Sequence, residues 1–115
     1  MDFTRTFPVH ESPEFVEEFF DGSRDSGFFP LPGYPRRAKV GDRVYAIYRG
    51  QIVGRCRITG IVRGSGETGV GSEDDSIDAR CEVHVECPGE RAPIVILRRG
   101  HQGIRYRPVP EWPGE

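Results

Sequence analysis

Arg43-Val44-Tyr45-Ala46-Ile47-Tyr48-Arg49-Gly50-Gln51-Ile52-Val53-Gly54-Arg55-Cys56-Arg57-Ile58-Thr59-Gly60-Ile61-Val62 is the stretch that decides the fold. Val40-Gly41-Asp42 reads as a turn before it, and from there β-branched and aromatic residues dominate with a period of two. Gly50-Gln51 reads as a tight hairpin connection between a first strand, Arg43–Arg49, and a long second one, Ile52–Val62. Glycine weakens a regular strand, so Gly54 and Gly60 mark bends or bulges of the kind that curl a sheet into a barrel. Of the two faces, Ile52, Gly54, Cys56, Ile58, Gly60 and Val62 belong inside. Val53, Arg55, Arg57, Thr59 and Ile61 form the other.

Toward the N-terminus, Phe3, Arg5, Phe7 and Val9 alternate, which predicts a strand ending near Pro8. Ser12-Pro13-Glu14 is a helix start: a serine cap, proline at the first helical position and acids beside the positive dipole end. Phe15, Val16, Phe19 and Phe20 make one apolar stripe, and Gly22 ends the helix after about two and a half turns. So short a helix must lie on something. Residues 21–39 read as a Gly-, Pro- and Ser-rich loop, packed through Phe28, Phe29, Leu31 and Tyr34 or presenting them to a ligand.

Toward the C-terminus, residues 64–78 read as a mobile acidic loop. Ala79–Cys87 alternates, with Cys81, Val83, Val85 and Cys87 inward and Glu82, His84 and Glu86 outward. Pro88-Gly89 turns the chain, Pro93–Leu97 is a short apolar strand, and Gly100-His101-Gln102-Gly103 connects to a last strand, Ile104–Arg107. The Pro-rich tail, 108–115, packs over an edge through Trp112. The class is mainly β (α+β): a small, partly closed barrel of about six strands with one short N-terminal helix over an opening.

The 115 residues suit a single domain, 1–115. Phe 7, Tyr 4 and Trp 1 supply the bulky apolar area that disordered chains lack. No stretch approaches the roughly 18–20 apolar residues of a membrane span. The start, Met1-Asp2-Phe3-Thr4-Arg5, carries no signal peptide. Three cysteines do not make a secreted disulfide framework, so a cytoplasmic protein without membrane partners is expected. The net charge of −2 conceals segregation: residues 1–35 balance at −5, 36–63 at +7, 64–92 at −6 and 93–115 at +2. All basic residues except Lys39 are arginine, whose planar donor fork suits phosphates and base edges. Such a pattern is either a self-neutralising surface or a basic face that binds a polyanion at one place.

Cys81-x-x-His84-x-x-Cys87 resembles a metal motif, but on a strand His84 points away from the cysteines, and the two sulfurs stand about 20 Å apart along the chain. No metal and no cofactor is expected, and buried cysteines serve as small hydrophobes. No Gly-x-Ser-x-Gly elbow and no phosphate-cradling glycine loop is present. Nucleic-acid chemistry remains. Tyr34-Pro35-Arg36-Arg37 sets an aromatic beside two guanidinium groups, Arg55 and Arg57 share a strand face, and Arg98, Arg99, Arg105 and Arg107 flank the His101 turn. Rings stack on bases while arginines meet phosphates. Net acidity argues for local binding rather than a coat.

The order of elements, with Lys39-Val40-Gly41-Asp42-Arg43-Val44-Tyr45, then Val53-Gly54-Arg55-Cys56-Arg57-Ile58-Thr59-Gly60-Ile61-Val62 and late Gly100-His101-Gln102-Gly103-Ile104-Arg105-Tyr106, resembles the PUA-like superfamily, particularly its ASCH and EVE branches. The resemblance spans roughly residues 3–109 and implies a PUA-like pseudo-β-barrel with a cleft between the helix, the loop after it and the barrel mouth. It also implies a partner: RNA or a nucleobase-like ligand, with Phe28, Phe29, Tyr34 and Trp112 as candidates for an aromatic cage. By position the cleft is lined by Ser23 and Arg24, by Phe28, Tyr34 and Arg36, and by His101 and Gln102. Arg37, Arg55, Arg57 and Arg105 join them as phosphate-holding candidates. Gly22-Ser23-Arg24 keeps the glycine of the ASCH Gly-x-Lys signature but has arginine in place of lysine, and the downstream acid is missing. An ASCH-type hydrolase acting on a modified nucleoside or RNA, and a protein-interaction barrel docking through acidic residues 67–78, are the alternatives.

Overall fold

The computed structural model describes residues 1–63 and 81–114. They form a mainly β structure, one sheet curled into a half-barrel with one short helix. Its elements are β1 (Phe3–Thr6), α1 (Pro13–Glu17), β2 (Ser26–Leu31), β3 (Arg43–Tyr48), β4 (Gln51–Arg63), β5 (Cys81–Glu86), β6 (Glu90–Arg91) and β7 (Ile104–Arg105). The strand order is β2-β5-β4-β3-β1-β7, with β6 on β4. β1 and β3 run parallel; the other pairs are antiparallel. The acidic stretch 64–78 and the first two residues of the expected strand from Ala79 lie outside the described residues.

The β3–β4 hairpin turns on Arg49 (φ 52°) and Gly50 (φ 84°), one residue earlier than the sequence reading. Two consecutive left-handed residues match the twist of the flanking strands. Both β4 glycines adjoin bulges. Ala46 pairs with Gly54 and Ile47 with Ile52, leaving Val53 extra. Ile58 pairs with Val85 and Gly60 with His84, leaving Thr59 extra.

Each extra residue reverses the alternation that follows, so the two faces drawn from the sequence do not run unbroken along β4. Cys56 and Ile58 point into the main core with Phe3, Val44, Val83 and Val85. Beyond Thr59 the inward residue is Ile61, and Val62 is 44% exposed rather than buried. Before Val53, Ile52 faces a second cluster on the outer side of the sheet, with Tyr45, Ile47, Ile96, Val109 and Trp112. The Pro-rich tail therefore covers a sheet face, with Trp112 only 4% exposed.

Ser12 caps α1 by accepting from the Phe15 N–H at 3.1 Å, with Pro13 opening the helix. The regular helix is shorter than expected, five residues. Single turns continue it to Asp21, and Gly22 (φ 87°) ends it. Val16, Phe19 and Phe20 close one end of the half-barrel.

Two expectations are corrected. The expected loop over 21–39 contains β2, which pairs with β5 from Ser26↔Glu86 to Leu31↔Cys81. Glycine, serine and Pro30 disguise it. Proline is tolerated because β2 is an edge strand. Conversely, Pro93–Leu97 is not a strand: among the described residues it meets the sheet through the single Gln51↔Leu97 bridge, flanked by the bonds from Ile52 N to Ile96 O and from Arg98 N to Gly50 O, while Val95 and Leu97 are 71% and 73% exposed. The pairing falls to β6 instead, and Pro93 offers no donor to extend it. Among the described residues no helix is long and apolar enough to cross a membrane.

Candidate functional site

Alternation along β1 turns Phe3 and Phe7 into the main core and Thr4 to the outer side. Arg5, between the two phenylalanines, points inward as well. It stands opposite Ala46, whose methyl leaves room for a long side chain. Its Nη1 donates to Thr6 O at 2.8 Å and its Nη2 to Pro30 O at 3.0 Å. Its Nε is buried with no hydrogen-bond partner among the described residues. Burial lowers the Arg5 pKa from its ordinary value, though guanidinium starts so high that it stays charged.

Around Arg5 opens a cleft of about 330 Å³ between β1, α1 and β2. Phe7, Phe15, Phe19 and Phe28 line it, with Arg5 and Arg24 as its two cationic groups. The floor is a continuous ring network: Phe7 lies 5.4 Å from Phe19 and 5.5 Å from Phe29, and Phe19 stacks on Phe29 at 5.2 Å and 23°. Phe28, from the outward side of β2, stands at the rim 46% exposed, its ring 5.6 Å from that of His84. Arg24 reaches Glu18 at 2.5 Å and lies over the Phe19 and Phe15 rings at 5.1 and 5.7 Å. An apolar floor of mutually tilted rings, with two guanidinium groups and the Glu11 carboxylate in the lining, accommodates a planar ring that carries carbonyl oxygens. The volume is at the low end for small-molecule sites, too small for anything beyond one base-sized group with its substituent. A larger cavity, about 440 Å³, lies between α1 and residues 91–95, but its Arg91 and Glu17 pair with each other.

His101 sits on the outer side of β1. Its Nδ1 lies 3.2 Å from Gln102 O, which needs a proton on that nitrogen. Nε2 then accepts from the Thr4 hydroxyl at 2.7 Å, and the His101 N–H donates to Thr6 Oγ1 at 3.0 Å. Desolvation lowers the His101 pKa; the bond to Gln102 opposes it, while the charges of Arg105, Arg5 and Arg107 reinforce it.

The structure thus brings Arg24 and Phe28 together in the cleft and sets His101, Gln102 and Arg105 beside the other side of β1. Ser23 is exposed in a turn, its N–H donating to Asp21 Oδ1 at 2.8 Å. Tyr34, 39% exposed, lies under Arg63 at 4.4 Å. Arg36 and Arg37 are exposed on the crossing from β2 to β3, where the Arg37 N–H donates to the Tyr106 hydroxyl at 3.0 Å. Arg57 is exposed on the outer face. Arg55, on the same face, is 5% exposed: it bonds Glu90 at 2.7 Å and the Tyr45 hydroxyl at 3.1 Å, with Trp112 4.3 Å away. It is a strut of the second core, because the tail covers a face that alternation alone would leave in water, and it borders a small cavity of about 180 Å³ with Arg43 and Arg57. Trp112 is likewise enclosed and presents no ring to solvent, whereas Phe29, as buried as Phe7, belongs to the cleft's lining. Arg36, Arg55 and His101 therefore occupy three different surroundings rather than one mouth.

Sequence reasoning missed Arg5 and the Phe7–Phe15–Phe19 floor as site components. The signal was present: an arginine at the inward position between Phe3 and Phe7. The cysteines face the interior, and burial, with Cys87 adjoining, pushes the Cys56 thiol up to about 12. A thiol so placed is no nucleophile at neutral pH.

No family model matches this chain, and neither a curated protein nor a solved structure matches it.

Proposed function

We propose that the chain is an RNA- or modified-nucleobase-binding module of PUA-like type, taking one unpaired base in the cleft between β1, α1 and β2. One observation carries the reading: a phenylalanine-floored cavity of about 330 Å³ that also holds the guanidinium groups of Arg5 and Arg24. Base–aromatic stacking supplies about 1–3 kcal/mol per base, and guanidinium groups add phosphate or carbonyl contacts. A duplex does not enter so small a cleft, so the partner offers a single-stranded or extruded nucleotide. Arg105 and Arg107 add positive charge around His101, on the other side of β1 from the cleft. Hydrolysis of the ASCH type is disfavoured, because Arg24 stands in the lysine's place and a guanidinium does not surrender its proton.

The test is binding of short single-stranded RNAs and DNAs and of nucleoside monophosphates across a salt series. Saturable binding that weakens with salt and is lost in Phe28→Ala supports the proposal. No binding to any of them at low salt overturns it.

A further inference from the structure

Arg24 is the predicted cation that lies in the cleft, already set over phenyl rings. Its guanidinium carbon is 5.1 Å from the Phe19 centroid and 5.7 Å from that of Phe15, both inside the roughly 6 Å range of cation–π attraction. Its Nη2 is tied to Glu18 at 2.5 Å. Yet 32% of its side chain remains exposed, and it lines the cavity. The group is thus set against two phenyl rings that stand at 75° to each other, with one edge anchored by a carboxylate.

We infer that Arg24 is the stacking plate of the cleft, a flat cation between the phenylalanine floor and the ligand's ring, rather than a phosphate contact. The inference rests on the reading that the cleft takes a base-like ring. A guanidinium held flat stacks on rings, whereas an ammonium in its place is a strongly hydrated point charge. The plate also selects by charge. It attracts electron-rich, oxo-substituted bases, whose carbonyl oxygens can take N–H donors that Glu18 leaves unused. It repels bases that carry a fixed positive charge, such as 7-methylguanine. Phosphate recognition then falls to Arg5 and to the arginines beyond β1.

The experiment compares GMP with 7-methyl-GMP by titration against the full chain, with inorganic phosphate as a third probe. Wild type is expected to prefer GMP by about tenfold, roughly one stacking contact. Arg24→Lys is expected to lose about tenfold in GMP affinity although the charge is kept. Arg24→Gln should bring the two nucleotides toward equal affinity. Glu18→Gln, which loosens the anchor but keeps the plate, should retain the preference, and thermal denaturation checks that each variant folds. Equal binding of the two nucleotides by wild type, or an Arg24→Lys variant that binds GMP as tightly as wild type, overturns the plate while leaving the cleft reading intact. Displacement of GMP by inorganic phosphate at similar concentration also overturns it, since the ring would then contribute nothing. Failure of wild type to bind either nucleotide overturns both.

Discussion

Arg5 on β1 donates through Nη2 to the carbonyl oxygen of Pro30 on β2 at 3.0 Å, joining two strands that stand four places apart in the sheet order. The curl of the sheet brings them face to face across the open seam, and this bond spans it. The same side chain bonds Thr6 O and lines the cleft, so one residue both spans the seam of the half-barrel and supplies one of the candidate site's two cations.

Arg5→Met keeps the stem and removes the donors. Hydrogen bonds from a charged group contribute about 1.5–3 kcal/mol, and Pro30 O and Thr6 O lose theirs together. A drop in unfolding free energy of about 2 kcal/mol in urea is expected, with weakened nucleotide binding. Unchanged stability would show that the seam is held by packing alone.

The β4 glycines should differ in tolerance although both adjoin bulges. A Cβ on Gly54 meets the Phe20 ring and stands 2.6 Å from Glu90 O, a backbone atom that cannot step aside. One on Gly60 meets nothing within 4 Å. Gly54→Ala is expected to cost about 1–3 kcal/mol by overpacking, and Gly60→Ala to stay within about 0.5 kcal/mol. Equal midpoints in denaturant would contradict the close approach of α1's following turn to β4.

His101 predicts a pH dependence of determinate sign. Its folded-state pKa lies below the ordinary histidine value of about 6.5, first because burial disfavours the imidazolium and further because the positive charges of Arg105, Arg5 and Arg107 act on it. The unfolded chain therefore binds more protons as pH falls below about 6.5. The contribution of His101 is fully present above that pH, declines below it and is exhausted once pH passes the folded-state pKa. Unfolding measured between pH 7.5 and 5 should show this decline, and His101→Gln should remove that part of it. An NMR titration placing His101 at or above 6.5 would contradict its burial against β1.

What was legible in the sequence was local. Ser12 and Pro13 announce the helix start. Gly54 and Gly60 announce the bulges, because a strand of β-branched residues has little other reason to carry them. Cys81, Val83, Val85 and Cys87 declare their side by strict alternation, and all four are buried. β2 escaped because Gly27 and Pro30 argue against a strand unless it is known to be an edge. For the site, Phe28 was legible as a ring in the loop after the helix, while Arg24 came only from the resemblance. Their meeting with Arg5 was not legible, since no spacing rule relates residue 5 to residues 24 and 28.

The sequence by itself determined the helix start, the β3–β4 hairpin, where β4 bends and which side of β5 is greasy, because each depends on neighbours within a few residues. Only the tertiary structure decided what covers each face. Arg55 and Arg57 share a face and a residue type, yet Trp112 encloses one and leaves the other in water. Arg5 and Pro30 are distant in the chain and in the sheet order, yet curvature makes them partners. Burial is a property of contacts between remote segments, and the hydrophobic gain that selects those contacts is summed over the whole fold rather than written into any one stretch.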